Sequence, residues 1–478
     1  MYNVLSNDAN CFIDDDEIIA SINDAKSFAA DENTVASILN KANAFKGLSH
    51  REAAVLLEVT DLDILAKIYS LAKQVKEHIY GRRIVMFAPL YLSDYCVNTC
   101  TYCGYSLKNK EAARRRLTRE ELLEEVRLLE KMGHKRLAVE TGEDPVNCPL
   151  DYVIDCIKAI YGLKCENGAI RRVNVNIAAT TVENYRRLKE ANIGTYILFQ
   201  ETYHKPSYLA LHPTGPKHNY EWHTEAHDRA MTAGIDDVGA GVLYGLYDWK
   251  YDTVAMLMHA EHLEAVHGVG PHTMSVPRLR AAPGMSRENF PCLVSDNQFK
   301  HLVAVLRLAA PYTGIILSTR ENAEFRGEVI SVGVSQISAG SCTGVGGYAG
   351  SSKLESGKGL NDALIQFEPE DHRSPLEVLK ELLREGYVPS YCTACYREGR
   401  TGDRFMSLAK SGQIANICQA NALLTLQEYL EDYGDYELKE LGETITKREI
   451  DAMPDKSARK VALEMLSRIK RGERDLRL

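Results

Sequence analysis

Eight short runs rich in β-branched and aromatic residues recur between residues 83 and 340, and charged, helix-like segments separate most of them. Strands that alternate with helices form parallel sheets, because a parallel connection needs a crossover long enough to hold a helix. Eight such units over about 260 residues predict an α/β fold, a (β/α)8 barrel of the TIM type. A doubly wound open sheet, with the eighth run as an edge strand, is the alternative. In order, the runs are RIVMFAPLYL, RLAVETG, RRVNVNIA, TYILFQETY, VGAGVLYGL, HTMSVPRL, GIILSTRE and VISVGVSQISAG.

The segments before and after these runs have helical patterns. Residues 1–80 predict an N-terminal helical extension, and residues 81–350 the barrel. Residues 351–478 predict a C-terminal helical domain. That domain opens with the polar surface stretch SSKLESGKGLNDALIQ and closes with the basic run RIKRGERDLRL, which we expect to be a solvated helix end. The glycine pattern GVGGYA at 344–349 predicts a turn at the end of the barrel, because no strand–helix unit with a following acidic residue frames it as a dinucleotide site.

Helix boundaries can be placed at three points. Ser49 and Glu52 have the spacing of a capping box in the extension, and Thr118 and Glu121 repeat it before the segment REELLEEVRLLEK. Gly133 follows that segment, where glycine commonly ends a helix. These signals predict helices that begin after Ser49 and after Thr118.

Composition limits the class of protein. The net charge of −9 argues against nucleic acid or an acidic membrane as the main partner. No run approaches the roughly 20 apolar residues of a membrane span, and the start of the chain lacks a basic and apolar leader. We therefore expect a cytoplasmic protein with reduced thiols. Its twelve cysteines then indicate metal binding or catalysis rather than cross-links.

Three cysteines, Cys96, Cys100 and Cys103, lie within the stretch YLSDYCVNTCTYCGYS just after the first run. Zinc commonly takes four ligands from two C-x2-C pairs, whereas C-x3-C-x2-C offers one such pair and no nearby fourth ligand. A [4Fe–4S] cluster held by three thiolates fits better, because it leaves one iron open to a small chelating molecule.

A second set, Cys392, Cys395 and Cys418, has the spacing C-x2-C-x22-C. A zinc knuckle is one interpretation, and a second iron–sulfur cluster with an open iron is the other. The first two cysteines belong to a predicted loop and the third to a predicted helix, so folding must bring them together. The other six cysteines have no ligand spacing, and we expect buried free thiols.

The first motif, with the aromatic Tyr102 before its last cysteine, resembles the radical S-adenosylmethionine (SAM) superfamily. The resemblance implies that the open iron binds SAM and that one electron cleaves it to a 5′-deoxyadenosyl radical. It also implies SAM contacts at consecutive strand ends, which matches where barrel loops carry chemistry. In this sequence the matching positions are Tyr102, then Thr141, Gly142 and Glu143 in ETGEDP, Asn174 and Asn176 in NVNIA, and Glu201 in FQETY.

The two cysteine sets together resemble the radical SAM tyrosine lyases that take part in [FeFe]-hydrogenase maturation. That resemblance implies cleavage of the Cα–Cβ bond of L-tyrosine to p-cresol and dehydroglycine. The latter is converted to carbon monoxide and cyanide for an iron–carbonyl–cyanide unit of the H-cluster. It also implies a second cluster, expected to be [4Fe–4S] with an additional iron. Implied partners are L-tyrosine, SAM, other maturation proteins or a scaffold that accepts the product, and an electron donor such as ferredoxin or flavodoxin.

Two further residues are candidates for these steps. Arg320 in LSTRE ends the seventh run, and its planar guanidinium suits the carboxylate of tyrosine, with Ser318 as a second contact. An ion pair between Arg320 and the adjacent Glu321 is the structural alternative. His272 begins the sixth run, and the resemblance implies that it binds the additional iron, whereas His262 and His267 are expected on a helix surface.

Three other functions remain open at this stage. The barrel also resembles the thiamine-pathway tyrosine lyase, 2-iminoacetate synthase, for which no second cluster is expected. Another radical SAM enzyme with an auxiliary cluster is the second possibility. An iron–sulfur scaffold or electron carrier without a substrate is the third, although the SAM-like motifs at the strand ends argue against it.

Overall fold

The computed structural model describes residues 1–354 and 365–478. Its centre is a parallel barrel that closes because β1 pairs with both β2 and β8. The predicted (β/α)8 barrel is confirmed, and the open-sheet alternative is wrong, because an open sheet would leave two free edges. The strands of the barrel are β1 Arg83–Ser93, β2 Arg136–Thr141, β3 Arg172–Asn176, β4 Tyr196–Ile197, β5 Val238–Gly241, β6 Thr273–Ser275, β7 Gly314–Leu317 and β8 Gln336–Ser338.

Helices precede the barrel and surround it. Those before the barrel are α1 Ala9–Phe12, α2 Asp15–Ala29, α3 Glu32–Asn43, α4 His50–Glu58 and α5 Leu62–Tyr80. Those between or after its strands are α6 Arg119–Lys131, α7 Leu150–Gly162, α8 Val182–Glu190, α9 Lys205–Leu211, α10 Tyr220–Thr224, α11 Ala226–Thr232, α12 Trp249–His267, α13 Asp296–Ala309, α14 Ala323–Ser331 and α15 Gly347–Leu354. Short 3-10 turns lie at Pro216–His218 and Arg287–Asn289.

The predicted helix boundaries are confirmed. Complete capping boxes join Ser49 to Glu52 at the start of α4 and Thr118 to Glu121 at the start of α6. Gly133 has a φ of +92°, the left-handed conformation that glycine adopts beyond a helix end. These reciprocal hydrogen bonds satisfy backbone donors that a helix start would otherwise leave without partners.

Two sequence predictions near the end of the barrel are corrected. Residues 329–331 of the last run belong to α14, and only Gln336–Ser338 form a strand. Gly347 begins α15, so GVGGYA is partly helical rather than a simple turn. Most of the predicted polar surface stretch, residues 355–364, lies outside the described residues.

The C-terminal region adds a ninth strand and six helices to the described chain. β9 runs parallel to the first residues of β1, with Val388 opposite Arg83 and Ser390 opposite Val85. Because β2 pairs further along β1, from Ala88 onward, β9 lies at the end of the barrel where the strands begin. The elements are α16 Pro375–Arg384, β9 Val388–Ser390, α17 Ala394–Arg397, α18 Gly402–Lys410, α19 Gln413–Tyr433, α20 Tyr436–Asp451 and α21 Lys456–Lys470.

The N-terminal helices, the barrel and the C-terminal helices share one buried apolar cluster. It contains Ile68 of α5, Ile315 of β7 and Leu423 of α19, each with no exposed surface. The three predicted segments therefore pack together, and the boundaries at 80/81 and 350/351 stay predictions. In the described parts of the chain, no helix is long and apolar enough to cross a membrane.

The basic C-terminal run folds back instead of forming a solvated helix end. Arg474 pairs with Asp432 of α19 at 2.6 Å, and the backbone N–H of Leu478 donates to Asn421 Oδ1 at 2.9 Å. The C-terminal residues therefore pack against α19, the helix that contains Cys418, the last cysteine of the second set.

Candidate functional site

The first cysteine set lies in the loop that leaves the carboxyl end of β1. Backbone hydrogen bonds fix this loop, from Val97 N to Glu143 O at 2.8 Å and from Leu107 N to Asn98 O at 2.8 Å. Asn98 Nδ2 also donates to the Glu143 carboxylate at 2.6 Å. Two of these hydrogen bonds thus attach the cysteine loop to the loop after β2.

A cavity of about 220 Å³ opens at the carboxyl ends of the barrel strands. It brings together almost all the residues that the sequence predicted for the SAM and tyrosine sites. Those lining it are Cys96, Cys100, Tyr102, Cys103, Thr141, Gly142, Glu143, Asn176, Glu201, Ser318 and Arg320. Residues from five different strand ends therefore converge on one space, as in barrel enzymes generally.

Asn174 is the exception, because it does not line this cavity. It lies two residues before Asn176 on β3, so its side chain is on the same face but deeper in the barrel. Its Oδ1 accepts a hydrogen bond from Thr195 N at 3.0 Å, which gives the amide a structural role. Asn176 is the candidate that remains at the mouth.

Burial raises the pKa of the Cys100 thiol, and it raises that of Cys103 to about 11. Metal coordination deprotonates such thiols, since the cation compensates the buried negative charge. Donors already face one sulfur atom, with Tyr105 N at 3.4 Å and Gln366 Nε2 at 3.8 Å from Cys103 Sγ. These groups suit a thiolate ligand better than a neutral buried thiol.

Arg320 is a buried cation that faces the same cavity. Its guanidinium stacks 3.4 Å above the ring of Phe367, and among the described residues Nη1 has one hydrogen-bond acceptor, the carbonyl of Arg278 at 3.5 Å. Burial lowers its pKa to about 10, so it stays charged at neutral pH. The alternative pairing with Glu321 is wrong, because that carboxylate is bound by Arg278 and Arg280.

Sequence reasoning missed two charged residues of the cavity. Burial raises the pKa of Glu140 well above its usual value, although the amide of Asn176 opposes the shift. Glu140 lies near the carboxyl end of β2, beside Thr141. The alternation of side chains along the strand could have predicted that Glu140 faces the inside of the barrel. Lys217 donates to Glu201 Oε1 at 2.6 Å and lies on a distant loop, so no local pattern pointed to it.

Glu201 has a φ of +69°, an uncommon conformation for a residue other than glycine. Such backbone strain persists where surrounding structure fixes it, and it clusters at functional sites. Here the ion pair with Lys217 holds the carboxylate at the cavity wall.

Gly142 permits the close approach of the loops after β1 and β2. A Cβ at this position would lie 2.3 Å from Tyr95 O and 3.0 Å from Cys96 Cβ. We expect Gly142→Ala to displace the cysteine loop, cost roughly 1–3 kcal/mol of stability, and lower the iron content of reconstituted protein. Iron analysis and thermal unfolding, with Gly162→Ala as a control whose Cβ meets no atom within 4 Å, measure this. Full iron content and unchanged unfolding in Gly142→Ala would contradict the expectation.

The second cysteine set lies at the opposite end of the barrel. Cys392 and Cys395 follow β9 and line a small cavity of about 40 Å³ together with His272, which directly precedes β6. Cys418 is buried on α19, and its hydrogen bond with Cys395 lowers the pKa of Cys418 and raises that of Cys395. Folding therefore brings the three predicted thiols and the predicted histidine into one region.

Buried cations lie at the cavity of about 40 Å³, which we call the lower cavity. Burial alone would lower the pKa of Arg83, but the nearby thiols, Cys418 foremost, raise it on balance. The ring of Tyr396 lies between the guanidinium groups of Arg136, at 5.3 Å, and Arg172, at 4.3 Å. Burial raises the pKa of the Cys392 thiol on balance, although the guanidinium groups of Arg83 and Arg136 lower it.

His272 lies near a carboxylate. Its Nδ1 is 3.7 Å from Asp237 Oδ1, and among the described residues the buried Asp237 Oδ2 has no hydrogen-bond partner. Burial lowers the pKa of His272, which favours the neutral imidazole that binds metals. The expectation for His262 was wrong, because it is fully buried and stacked on Phe12, whereas His267 is partly buried beside Asp228.

Both cysteine sets supply donors for a metal-containing group. Within residues 1–354 and 365–478, no three His, Cys, Asp or Glu side chains are grouped to hold one metal ion. In the second set, the thiols of Cys395 and Cys418 form a hydrogen bond with each other. An iron–sulfur cube takes its cysteine ligands at the corners of a core of iron and sulfide, and each set supplies three such thiols.

Comparisons with known proteins agree with this geometry. The Radical SAM superfamily model matches residues 90–260, and the Biotin and Thiamin Synthesis associated domain matches residues 275–388. These matches imply iron–sulfur clusters and SAM. The chain is 32% identical to 2-iminoacetate synthase of Salmonella typhimurium over 74% of its length and 90% of that protein.

Two solved structures match nearly the whole chain. A crystal structure of HydG, described as a maturase of the [FeFe]-hydrogenase, is 59% identical, with a TM-score of 0.93 over 98% of this chain and all of that one. HydG from Carboxydothermus hydrogenoformans is 37% identical, with a TM-score of 0.78 over 94% of this chain and 99% of that one. The protein is therefore a radical SAM enzyme, and the chain belongs to the HydG family of [FeFe]-hydrogenase maturases.

Proposed function

We propose that the protein is a tyrosine lyase of hydrogenase maturation. It cleaves the Cα–Cβ bond of L-tyrosine to p-cresol and dehydroglycine, and dehydroglycine yields carbon monoxide and cyanide for an iron–carbonyl–cyanide unit of the H-cluster. The observation that carries the proposal is the buried guanidinium of Arg320, which has no ion-pair partner among the described residues and lines the cavity that also holds the first cysteine set. The carboxylate of a substrate would form an ion pair with this guanidinium.

The cavity at the carboxyl ends of the barrel strands, which we call the upper cavity, binds and orients the substrate. Arg320 holds the tyrosine carboxylate, and Ser318, which lines the same wall, contributes a hydroxyl. A guanidinium that is already desolvated and stacked on Phe367 loses little freedom when it binds a carboxylate. Fixing that end of the substrate places its side chain relative to the cysteine loop, where small misplacements cost rate.

The same cavity holds SAM against the first cluster. Cys96, Cys100 and Cys103 are the ligands of that [4Fe–4S] cluster, which together with SAM supplies the 5′-deoxyadenosyl radical when both are bound. The contacts to SAM come from the lining residues at consecutive strand ends. They are Tyr102, Thr141, Gly142, Glu143, Asn176 and Glu201.

The lower cavity would serve the second stage. Cys392, Cys395 and Cys418 would hold a second iron–sulfur cluster, and His272 would hold an additional iron, because imidazole suits iron(II). The Asp237 carboxylate lies 3.7 Å from the His272 ring. That iron would supply the place where carbon monoxide and cyanide bind, and other maturation proteins or a scaffold accept the product.

One anaerobic experiment tests this function. Protein reconstituted with iron and sulfide is incubated with SAM, dithionite and tyrosine, and 5′-deoxyadenosine, p-cresol, carbon monoxide and cyanide are assayed. The proposal expects all four. The similarity to 2-iminoacetate synthase supports a second candidate, a tyrosine lyase without the second stage. That function gives p-cresol without carbon monoxide or cyanide, and failure to cleave tyrosine would refute both.

Substitution of His272 separates the two stages. We expect His272→Ala to leave p-cresol formation within about twofold of the parent, because the upper cavity is untouched, and to lower iron-bound carbon monoxide and cyanide by roughly tenfold or more. Infrared and EPR spectra report the iron-bound species and the additional iron. His267→Ala, on the neighbouring helix end, is the matched control. Equal losses of p-cresol and of iron-bound cyanide would contradict the assignment.

A further inference from the structure

The segment that follows the first cysteine set is strongly basic. Residues 107–119 contain six Lys or Arg residues and one Glu, in a chain whose net charge is −9. None of the residues proposed for substrate, SAM or cluster binding belongs to this segment. Its charge therefore needs a separate explanation.

This segment packs directly against the cysteine loop. The N–H of Leu107 donates to the carbonyl of Asn98, which lies between Cys96 and Cys100, at 2.8 Å. The guanidinium of Arg114 donates to the carbonyls of Asp94 and Tyr105, each at 2.8 Å. These bonds make the segment the rigid outer cover of the first cluster site.

Part of this cover is open to solvent. Lys108 and Lys110 are exposed, and neither forms an ion pair with any of the described residues. Leu107, beside Lys108, is 54% exposed. Arg116 is exposed too, and its Nη1 donates to Asn147 O at 2.8 Å, next to Val146, which is 80% exposed.

We propose that this basic surface, formed by Leu107, Lys108 and Lys110, docks an acidic one-electron carrier protein. The inference rests on the proposed cluster at the first cysteine set, which must gain one electron per SAM cleaved while the carrier loses one. The docking site lies over the ligand loop, so the electron enters by a short path. An exposed apolar side chain with neighbouring cations suits a small, transient interface with an acidic partner.

Local charge also explains why the partner is a protein of this kind. Clusters of one sign steer an oppositely charged partner and accelerate its association, most strongly at low salt. The rest of the chain is acidic overall, so a long polyanion that extends beyond the surface would be repelled. A compact acidic carrier meets only the basic surface.

Reversing two charges tests the proposal. The double variant Lys108→Glu/Lys110→Glu is compared with the parent, using a small acidic ferredoxin, photochemically reduced, as the probe. We expect its KM for ferredoxin in 5′-deoxyadenosine formation to rise roughly tenfold, and the parent's rate, but not the variant's, to fall with added salt. Binding of ferredoxin to cluster-free protein, measured by biolayer interferometry, should weaken in parallel.

Two small reductants of opposite charge serve as controls. Dithionite is an anion and reduced methyl viologen a cation, so damage to the active site would slow both, whereas loss of docking leaves the viologen-driven rate unchanged. Lys46→Glu/Lys67→Glu, at exposed lysines of the N-terminal extension, one between α3 and α4 and one in α5, is the matched charge control.

Each outcome bears on a distinct claim. An unchanged ferredoxin KM in Lys108→Glu/Lys110→Glu, including the case in which the surface serves an RNA or a membrane, would overturn the docking proposal. Equal losses with ferredoxin and with both small reductants would overturn it too. No SAM cleavage by the parent with any reductant would instead refute the proposed function. Lys108→Arg/Lys110→Arg should restore the parent's KM, because it keeps the charge.

Discussion

Replacing Arg320 by Lys is expected to raise the KM for tyrosine and to lower kcat/KM for p-cresol formation by roughly 30- to 150-fold. The estimate corresponds to about 2–3 kcal/mol, the range for a hydrogen bond to a charged group. Lysine keeps the charge but loses the planar pair of donors that matches a carboxylate. It also loses the flat contact with Phe367, which now lies 3.4 Å from the guanidinium.

The remaining functions of the variant should be intact. Iron content and the slow cleavage of SAM without tyrosine should equal those of the parent, since Arg320 makes no hydrogen bond to a cysteine loop among the described residues. Arg287→Lys, at an exposed position in the 3-10 turn Arg287–Asn289, is the matched control. Unchanged p-cresol formation at low tyrosine concentration would remove Arg320 from the binding role.

The barrel could be predicted because its signals are local. Each of the eight runs contains a strand, and the capping boxes at Ser49 and Thr118 begin the helices that the sequence placed there. β9 was missed, because three residues with a central proline, Val-Pro-Ser, resemble a loop. Its pairing with β1 depends on tertiary contacts across about 300 residues.

The location of the second cysteine set could not be predicted for the same reason. The spacing of Cys392, Cys395 and Cys418 identifies ligands but says nothing about which end of the barrel they face. That is decided by β9, which ends just before Cys392 and runs beside the start of β1. The presence of His272 in the same cavity then follows, because it precedes β6.

The ion pairs of the upper cavity could not be predicted from the sequence either. The adjacent Arg320 and Glu321 looked like a possible ion pair, yet they lie in the turn that follows β7, where the sequence does not show which way each side chain points. Glu321 turns to Arg278 and Arg280, and Arg320 is left facing the cavity. Lys217 reaches Glu201 from a loop between α9 and α10, where no periodic pattern marks a functional residue.

Two cysteine substitutions are expected to divide the enzyme into its two halves. Cys103→Ser should abolish 5′-deoxyadenosine and p-cresol formation, because serine, which binds iron poorly in place of a thiolate, removes one of three ligands. The second cluster should persist, since its ligands lie at the other end of the barrel. Cys418→Ser should keep SAM cleavage and p-cresol while it removes iron-bound carbon monoxide and cyanide.

The two variants can be compared because the two cysteine sets lie at opposite ends of the barrel and supply separate ligands. EPR spectra of the reduced variants should each lack one of the two cluster signals, and product analysis should match the signal lost. Cys156→Ser, at a buried cysteine of α7 that lines neither cysteine-set cavity, controls for loss of a thiol. If Cys418→Ser lost p-cresol as completely as Cys103→Ser, the two cysteine sets would have to act on one reaction, and the division of labour proposed here would be wrong.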